Sequence, residues 1–185
     1  MTNPKIVSMD ADGFIINLHK PWLGRYNYDW NDDLTVEEIT EWGMHKLVKP
    51  ECGTKIYEYI EDPTIYDEAP PIDGAIDGIR YVRDMGYRIV FVTSSTLGAS
   101  GRKYKWFKDY GLINGLSDYV EMSDKSLIRS DYLFDDYQVN ISGFIGKGVL
   151  YTQPWNKSST ITPRVFGWLG VLGVVKYLQN ELKYG

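Results

Sequence analysis

Apolar residues along this chain come in two spacings. Short runs rich in β-branched and aromatic residues, KIVSM (5–9), RIVFV (88–92), DYVEM (118–122), DYLF (131–134) and GVLY (148–151), are bounded by polar or glycine clusters, which predicts buried strands. Other segments follow a helical period. GAIDGIRYVRDMG (74–86) sets Ile76, Ile79 and Val82 on one face and stops at Gly86, and GRKYKWFKDYG (101–111) closes on Gly111. Strand and helix in alternation imply right-handed crossovers and an α/β fold, a doubly wound parallel sheet whose ligand sits beyond the carboxyl ends of its strands.

Residues 18–72 break that alternation. They hold Trp22, Tyr26, Tyr28, Trp30, Trp42, Tyr57, Tyr59 and Tyr66, and in DDLTVEEITEW the pair Thr35 and Glu38 has capping-box spacing for a helix start. The stretch is too long for a plain loop, so it reads as a small helical cap inserted after the first strand, with EDPTIYDEAPPIDG returning the chain to the body. The core is then 1–17 plus 73–185. The run VFGWLGVLGVV (165–175) is shorter than the roughly 18 to 20 residues a membrane span requires. With Trp168, Leu172, Val175 and Leu182 at helical spacing, it predicts a C-terminal helix packed on the body; a membrane contact or a homodimer face along that stripe is the alternative.

Composition narrows the function classes. The 185 residues, 43% of them hydrophobic, suffice for one full core and a small appended lobe. Lys and Arg number 20 against 25 Asp and Glu, a net charge of -5, which leaves no basic stripe for a nucleic-acid polymer. A small anionic ligand needs only a local positive pocket. The lone cysteine, Cys52, rules out an internal disulfide and points to a reducing, cytoplasmic setting; it reads as a small apolar packing residue. The N-terminus lacks a signal-peptide pattern, because Asp10 and Asp12 interrupt it early. His19 and His45 have no partner at ligand spacing and read as cap-surface residues.

The chemistry gathers at strand ends. Asp10 and Asp12, ahead of Gly13, repel one another unless something positive sits beside them, and magnesium takes one or two carboxylates plus a substrate phosphate. Asp135 and Asp136 form a second acidic pair after a strand. Thr93 and Ser94, in FVTSS, offer hydroxyls and turn N–H groups for phosphate oxygens, and Lys125, in SDKSL, offers an ammonium for charge gathering on a phosphoryl group. Taken singly, the acidic pairs also suit turns, the hydroxyls a helix cap and the lysine a solvated surface. Their coincidence at successive strand ends favours a metal phosphatase site. A carboxylate attacks phosphorus, and a second carboxylic acid protonates the leaving oxygen and then activates water.

These four stations, in this order, resemble those of the haloacid dehalogenase superfamily. Within it, DWNDDLTVEEITEW, APPIDGA, VTSS, RKYKWF, SDKSLIRSDYLFDD and LYTQPWN are similar to the 5'(3')-deoxyribonucleotidase family, including its bacterial and phage members, over residues 5–157. The resemblance implies Asp10 as nucleophile and Asp12 as general acid and base. It implies Thr93, Ser94, Lys103 and Lys125 against the phosphate, and Mg2+ held by Asp10, the Asp12 main-chain carbonyl and Asp135, with Asp136 close behind. Trp42 and Tyr66 are the expected contacts to a nucleobase. Ala11 stands where members often carry Met, and Ile65 and Tyr66 where many carry two phenylalanines, which leaves base preference open. The tail beyond residue 157 has no assigned counterpart. Two further readings stay beside this one: a phosphatase of another small phosphoester, and a non-catalytic phosphate-binding or phospho-acceptor module. Asp12 separates the last, since a switch has no use for a group that hastens hydrolysis.

Overall fold

A strand flanked on both sides and covered on both faces has no wet surface, so its side chains are apolar whichever way they point. The computed structural model describes residues 4–96 and 98–185. In it β1 (Ile6–Met9), β2 (Arg88–Thr93), β3 (Tyr119–Glu121), β4 (Tyr132–Asp135), β5 (Lys147–Tyr151) and β6 (Arg164–Val165) form one sheet. The order is β3-β2-β1-β4-β5-β6, with every neighbouring pair parallel. Val7, Met9, Phe91, Val92, Leu133 and Phe134, on the three central strands, are completely buried. The chain winds outward from β1 through β2 to β3 and then lays β4 on the other flank of β1. The crevice at that reversal is where a doubly wound sheet receives ligands.

Among the described residues, seven α-helices accompany the sheet: α1 (His19–Trp30), α2 (Glu58–Glu61), α3 (Ile65–Glu68), α4 (Ala75–Asp84), α5 (Ser100–Asp109), α6 (Gln138–Gly143) and α7 (Val174–Tyr184). The crossover helices end as their glycines predict, since Gly86 and Gly111 adopt left-handed backbone (φ 89° and 67°) just past α4 and α5. The stretch between β1 and α4 holds α1–α3 and several 3-10 turns. Its buried Trp22, Tyr26, Ile56 and Ile65 belong to the same apolar cluster as the sheet. Trp22 donates its indole N–H to the Ile56 carbonyl (2.7 Å), and Arg25 bonds Asp62, Thr64 and Glu68, which draws α1 and α3 together. Thr35 and Glu38 do form a capping box, with the Thr35 amide 2.9 Å from Glu38 Oε2, but they close only the 3-10 turn Val36–Glu38. The β-branched Val36, Ile39 and Thr40 and then Gly43 are poor helix formers, so nothing propagates the turn.

The C-terminal expectation needs correction. Residues 165–173 are not helical: Val165 ends a sixth strand, Gly167 and Gly170 take left-handed backbone (φ 78° and 91°), and the helix begins at Val174. Trp168 is buried all the same, with its indole N–H on the Phe14 carbonyl (2.8 Å) and its ring filling the space a Cβ on Gly78 would need. Val174 and Leu178 are the buried residues of α7, whereas Leu172 and Leu182 are 63% and 50% exposed. Among the described residues no helix is long and apolar enough to cross a membrane.

Candidate active site

β1 stops at Met9, and both aspartates of the first motif lie in the loop beyond it. The Asp10 amide donates to the Phe134 carbonyl (3.0 Å), which pins Asp10 against β4, whose last residue is Asp135. Gly13 then takes φ 73°, and a Cβ at that position would overlap Oδ2 of Asp136 and come within 3.1 Å of the Trp155 ring. Glycine is required here because the backbone turns left-handed and the two acidic loops meet across it.

One carboxylate oxygen from each of the buried Asp10, Asp135 and Asp136 falls within 4.8 Å of the other two. Lys125 rises among them from the short 3-10 turn after β3, whose start is capped by the Asp124 side chain. Its ammonium bonds Asp10 Oδ1 and Asp135 Oδ2. Asp135 also accepts from the Tyr137 amide (2.8 Å) and Asn140 Nδ2 (2.9 Å), and Asp136 accepts from the Trp155 indole (2.9 Å). Three buried carboxylates thus face one ammonium. Burial, reinforced by the Asp10 charge, pushes the Asp135 carboxyl up to about 6, and the same two causes with Asp135 itself raise Asp136 well above the carboxylate range. Burial resists the Lys125 charge, but Asp10 and Asp135 outweigh it and raise its pKa. A surplus of buried carboxylate oxygen, with no soft ligand in the set, fits a hard divalent cation.

Asp12 belongs to a second cluster. Lys103 on α5 is fully buried, and its ammonium bonds Asp12 Oδ2 (2.7 Å), Thr93 Oγ1 (3.0 Å) and the Ser94 carbonyl (2.7 Å). Its three donors go to these groups, so Lys103 ties Asp12 to the end of β2. The Tyr66 hydroxyl donates to the same Asp12 oxygen (3.2 Å), and Lys103 Nζ lies 5.2 Å from the Tyr66 ring centroid. That hydroxyl is taken up by Asp12, and Tyr66 lines the cavity wall beside the carboxylates.

A cavity of about 580 Å³ opens over both clusters. Its floor includes Asp10, Asp12, Thr93, Ser94, Lys125, Asp135 and Asp136, and its apolar walls come from the segment after β1, through Leu18, Trp22, Ile39 and Met44. Trp42 lines the cavity and stacks on Tyr137, just past the second acidic pair, at 4.3 Å and 26°. His45 is exposed as expected, whereas His19 is only partly exposed. It lines the cavity, stacks on Trp155 at 4.2 Å, and burial lowers its pKa to about 4, so the imidazole is neutral. Sequence reading missed His19, Tyr137, Asn140 and Trp155 as parts of the site. For Trp155 the signal was present in QPWN, an indole shortly after a strand end, where its N–H reaches a carboxylate. The other three carry no mark in the sequence, because packing alone brings them to the cavity.

Comparison with known proteins agrees with this geometry. The family model described as 5' nucleotidase, deoxy (pyrimidine), cytosolic type C matches residues 4–179, so the likeness extends past residue 157 through β6 and into α7. A 5'(3')-deoxyribonucleotidase of Clostridium acetobutylicum is 25% identical over 97% of this chain and 99% of its own length. One from Bacillus subtilis is 23% identical over 89% of this chain and 94% of its own. Among solved structures, a haloacid dehalogenase-like hydrolase from Streptococcus pneumoniae superposes with a TM-score of 0.60 at 11% identity, covering 100% of both chains. A haloacid dehalogenase-family hydrolase from Deinococcus radiodurans, solved with bound phosphate and sodium, reaches 0.60 at 14% identity over 98% of this chain and 96% of its own.

Proposed function

The chain belongs to the 5' nucleotidase, deoxy (pyrimidine), cytosolic type C family and is a phosphoric monoester hydrolase of that kind. From that premise we propose that it is a magnesium-dependent phosphatase of deoxynucleoside monophosphates working through an aspartyl phosphate. The observation that carries the reading is the meeting of three buried carboxylates and Lys125 at the strand-order reversal, directly beneath an aromatic-walled cavity. The relatives' names supply the substrate class, and 580 Å³ is ample for a nucleoside monophosphate.

In this reading the Asp10 carboxylate attacks phosphorus and the bond to the ester oxygen breaks. The Asp12 carboxyl delivers a proton to that oxygen, so the nucleoside leaves as an alcohol. Asp12, now a carboxylate, takes a proton from water as the water oxygen attacks phosphorus, which frees Asp10 and inorganic phosphate. Lys125 and the Thr93 and Ser94 turn face the phosphoryl oxygens, and Lys103 acts on them through Asp12 and Thr93. Asp10, the Asp12 main-chain carbonyl and Asp135 would hold magnesium, which supplies charge neutralisation for the phosphoryl group, with Asp136 behind them. Residues 18–72 act as the cap over a core of 1–17 and 73–185, and Trp42 is the candidate for contact with the base. A buried, unpaired Cys52 suits a cytoplasmic setting.

Phosphate release from a panel of deoxynucleoside monophosphates, with magnesium and with chelator, tests the proposal. Metal-dependent turnover is expected to fall by about four to six orders of magnitude in Asp10→Asn, the range seen when a covalent nucleophile or a group that orients its base is removed. No metal-dependent turnover above that variant defeats the reading. A panel of sugar phosphates in the same assay decides whether the nucleotide is the preferred ester.

A further inference from the structure

Among the described residues, the segment after β1 makes a single side-chain hydrogen bond to the four site aspartates, and it comes from Tyr66. Its hydroxyl reaches Asp12 Oδ2 from the α3 side (3.2 Å), while Lys103 Nζ reaches the same oxygen from α5 (2.7 Å). Asp12 Oδ1 is shielded from solvent and has no hydrogen-bond partner among the described residues. The carboxyl group is therefore held by one oxygen, between two donors on two different elements. With either donor gone, rotation about Cβ–Cγ has one anchor instead of two.

We propose that Tyr66 is a positioning residue for proton transfer: its hydroxyl fixes the Asp12 carboxyl in the orientation that delivers a proton to the departing ester oxygen. Three further observations fit this role. Tyr66 is buried (5% exposed), so its ring has little freedom of its own. A phenol holds its proton at neutral pH and a carboxylate can only accept, so the hydroxyl is the donor in this pair. The ring also lies beside the Lys103 ammonium, which couples the two anchors of Asp12. Because α3 belongs to the inserted segment and α5 to the sheet domain, Asp12 is correctly aimed only when the two are seated together. A phenylalanine at position 66 would keep the wall and lose the anchor.

The inference rests on Asp12 being the general acid, and its test separates the two claims. kcat/KM reports only the steps through departure of the leaving group, and a 4-nitrophenolate leaves without a proton whereas a deoxynucleoside does not. The ratio of kcat/KM for 4-nitrophenyl phosphate to kcat/KM for a deoxynucleoside 5'-monophosphate is measured for the wild type, Tyr66→Phe and Asp12→Asn with magnesium present. Loss of folded enzyme lowers both numbers equally and cancels in the ratio. The expected result is a rise of about tenfold in Tyr66→Phe, the scale of one hydrogen bond to a charged group, and of at least a hundredfold in Asp12→Asn. A ratio raised in Asp12→Asn but unchanged in Tyr66→Phe overturns the positioning role alone. An unchanged ratio in Asp12→Asn overturns the acid assignment, and the role of Tyr66 with it.

Discussion

Asp10 and Asp12 stand two residues apart, and each meets a buried lysine, yet the two surroundings balance differently. Around Asp12 there is one carboxylate and one ammonium, and Lys103 has all its donors satisfied by Asp12, Thr93 and Ser94. Around Asp10 there are three carboxylates, with Asp135 and Asp136, against the single ammonium of Lys125. The first cluster is balanced in charge within the protein, whereas the second carries buried negative charge that a cation would relieve. Two motif residues that look alike in the sequence thus divide the work: one side is built to hold a geometry, the other to take up positive charge. The difference lies in which strand ends and helices converge on each loop, because α5 delivers its lysine to Asp12 and β4 delivers two more acids to Asp10.

The largest test of this contrast removes the ammonium from the balanced side. Lys103→Met leaves Asp12, whose side chain is 28% exposed on the cavity floor, with no charged partner; breaking a buried pair costs roughly 3 to 5 kcal/mol, and partial solvation of Asp12 sets the lower end of that range. For a chain of this size that corresponds to a melting temperature lower by about 10 °C, readable by calorimetry. A drop of less than about 2 °C would show that Asp12 is solvated well enough to stand alone. Gly13→Ala comes next, on the unbalanced side. It forces an L residue into left-handed backbone and drives a Cβ into the Asp136 carboxylate, for a loss of about 3 kcal/mol together with a weaker response to divalent cations. An alanine variant that melts and binds metal like the wild type would show that the two acidic loops can separate freely.

How much of this was open to sequence reading depends on the range of the interactions involved. Strand positions and the acidic stations are local: the residues that mark KIVSM or DYLF as strands are those the sheet buries, and a carboxylate after a strand end stays at the ligand face whatever else happens. The parallel sheet and the convergence of Asp10 with Asp135 were legible on that basis. The bonds of Lys103 and Tyr66 to Asp12 and the partial burial of His19 were not. Each depends on where the far end of a long or planar side chain arrives after packing across more than 50 residues, or, for His19, on how deeply it is covered. The C-terminal error has a different cause. The spacing of Trp168 and Leu172 is helical, but of the glycines at 167, 170 and 173 two adopt positive φ and break the run before Val174. Breakers within a short apolar run outweigh its period.

The smallest effect on stability, and the sharpest test of the contrast, belongs to Asp136→Asn. The change keeps the shape and removes one charge from the overfilled cluster. Because the Asp135 pKa is raised to about 6 and burial also raises that of Asp136, the native state binds more protons than the unfolded chain from the ordinary carboxylate range up to at least about pH 6. Stability from this source is present at low pH and is lost as pH rises through 6. At pH 7.5 without metal, the asparagine variant is therefore expected to melt within about 1 kcal/mol of the wild type, or slightly above it, the opposite of what Lys103→Met does. The wild type should gain stability from magnesium more strongly at pH 7.5 than at pH 5, since protons and metal compete for the same oxygens. Asp136→Asn should lose most of that gain. Equal magnesium stabilisation in the two proteins would mean that Asp136 adds no charge that a bound cation relieves, and the surplus would then reside in Asp10 and Asp135 alone.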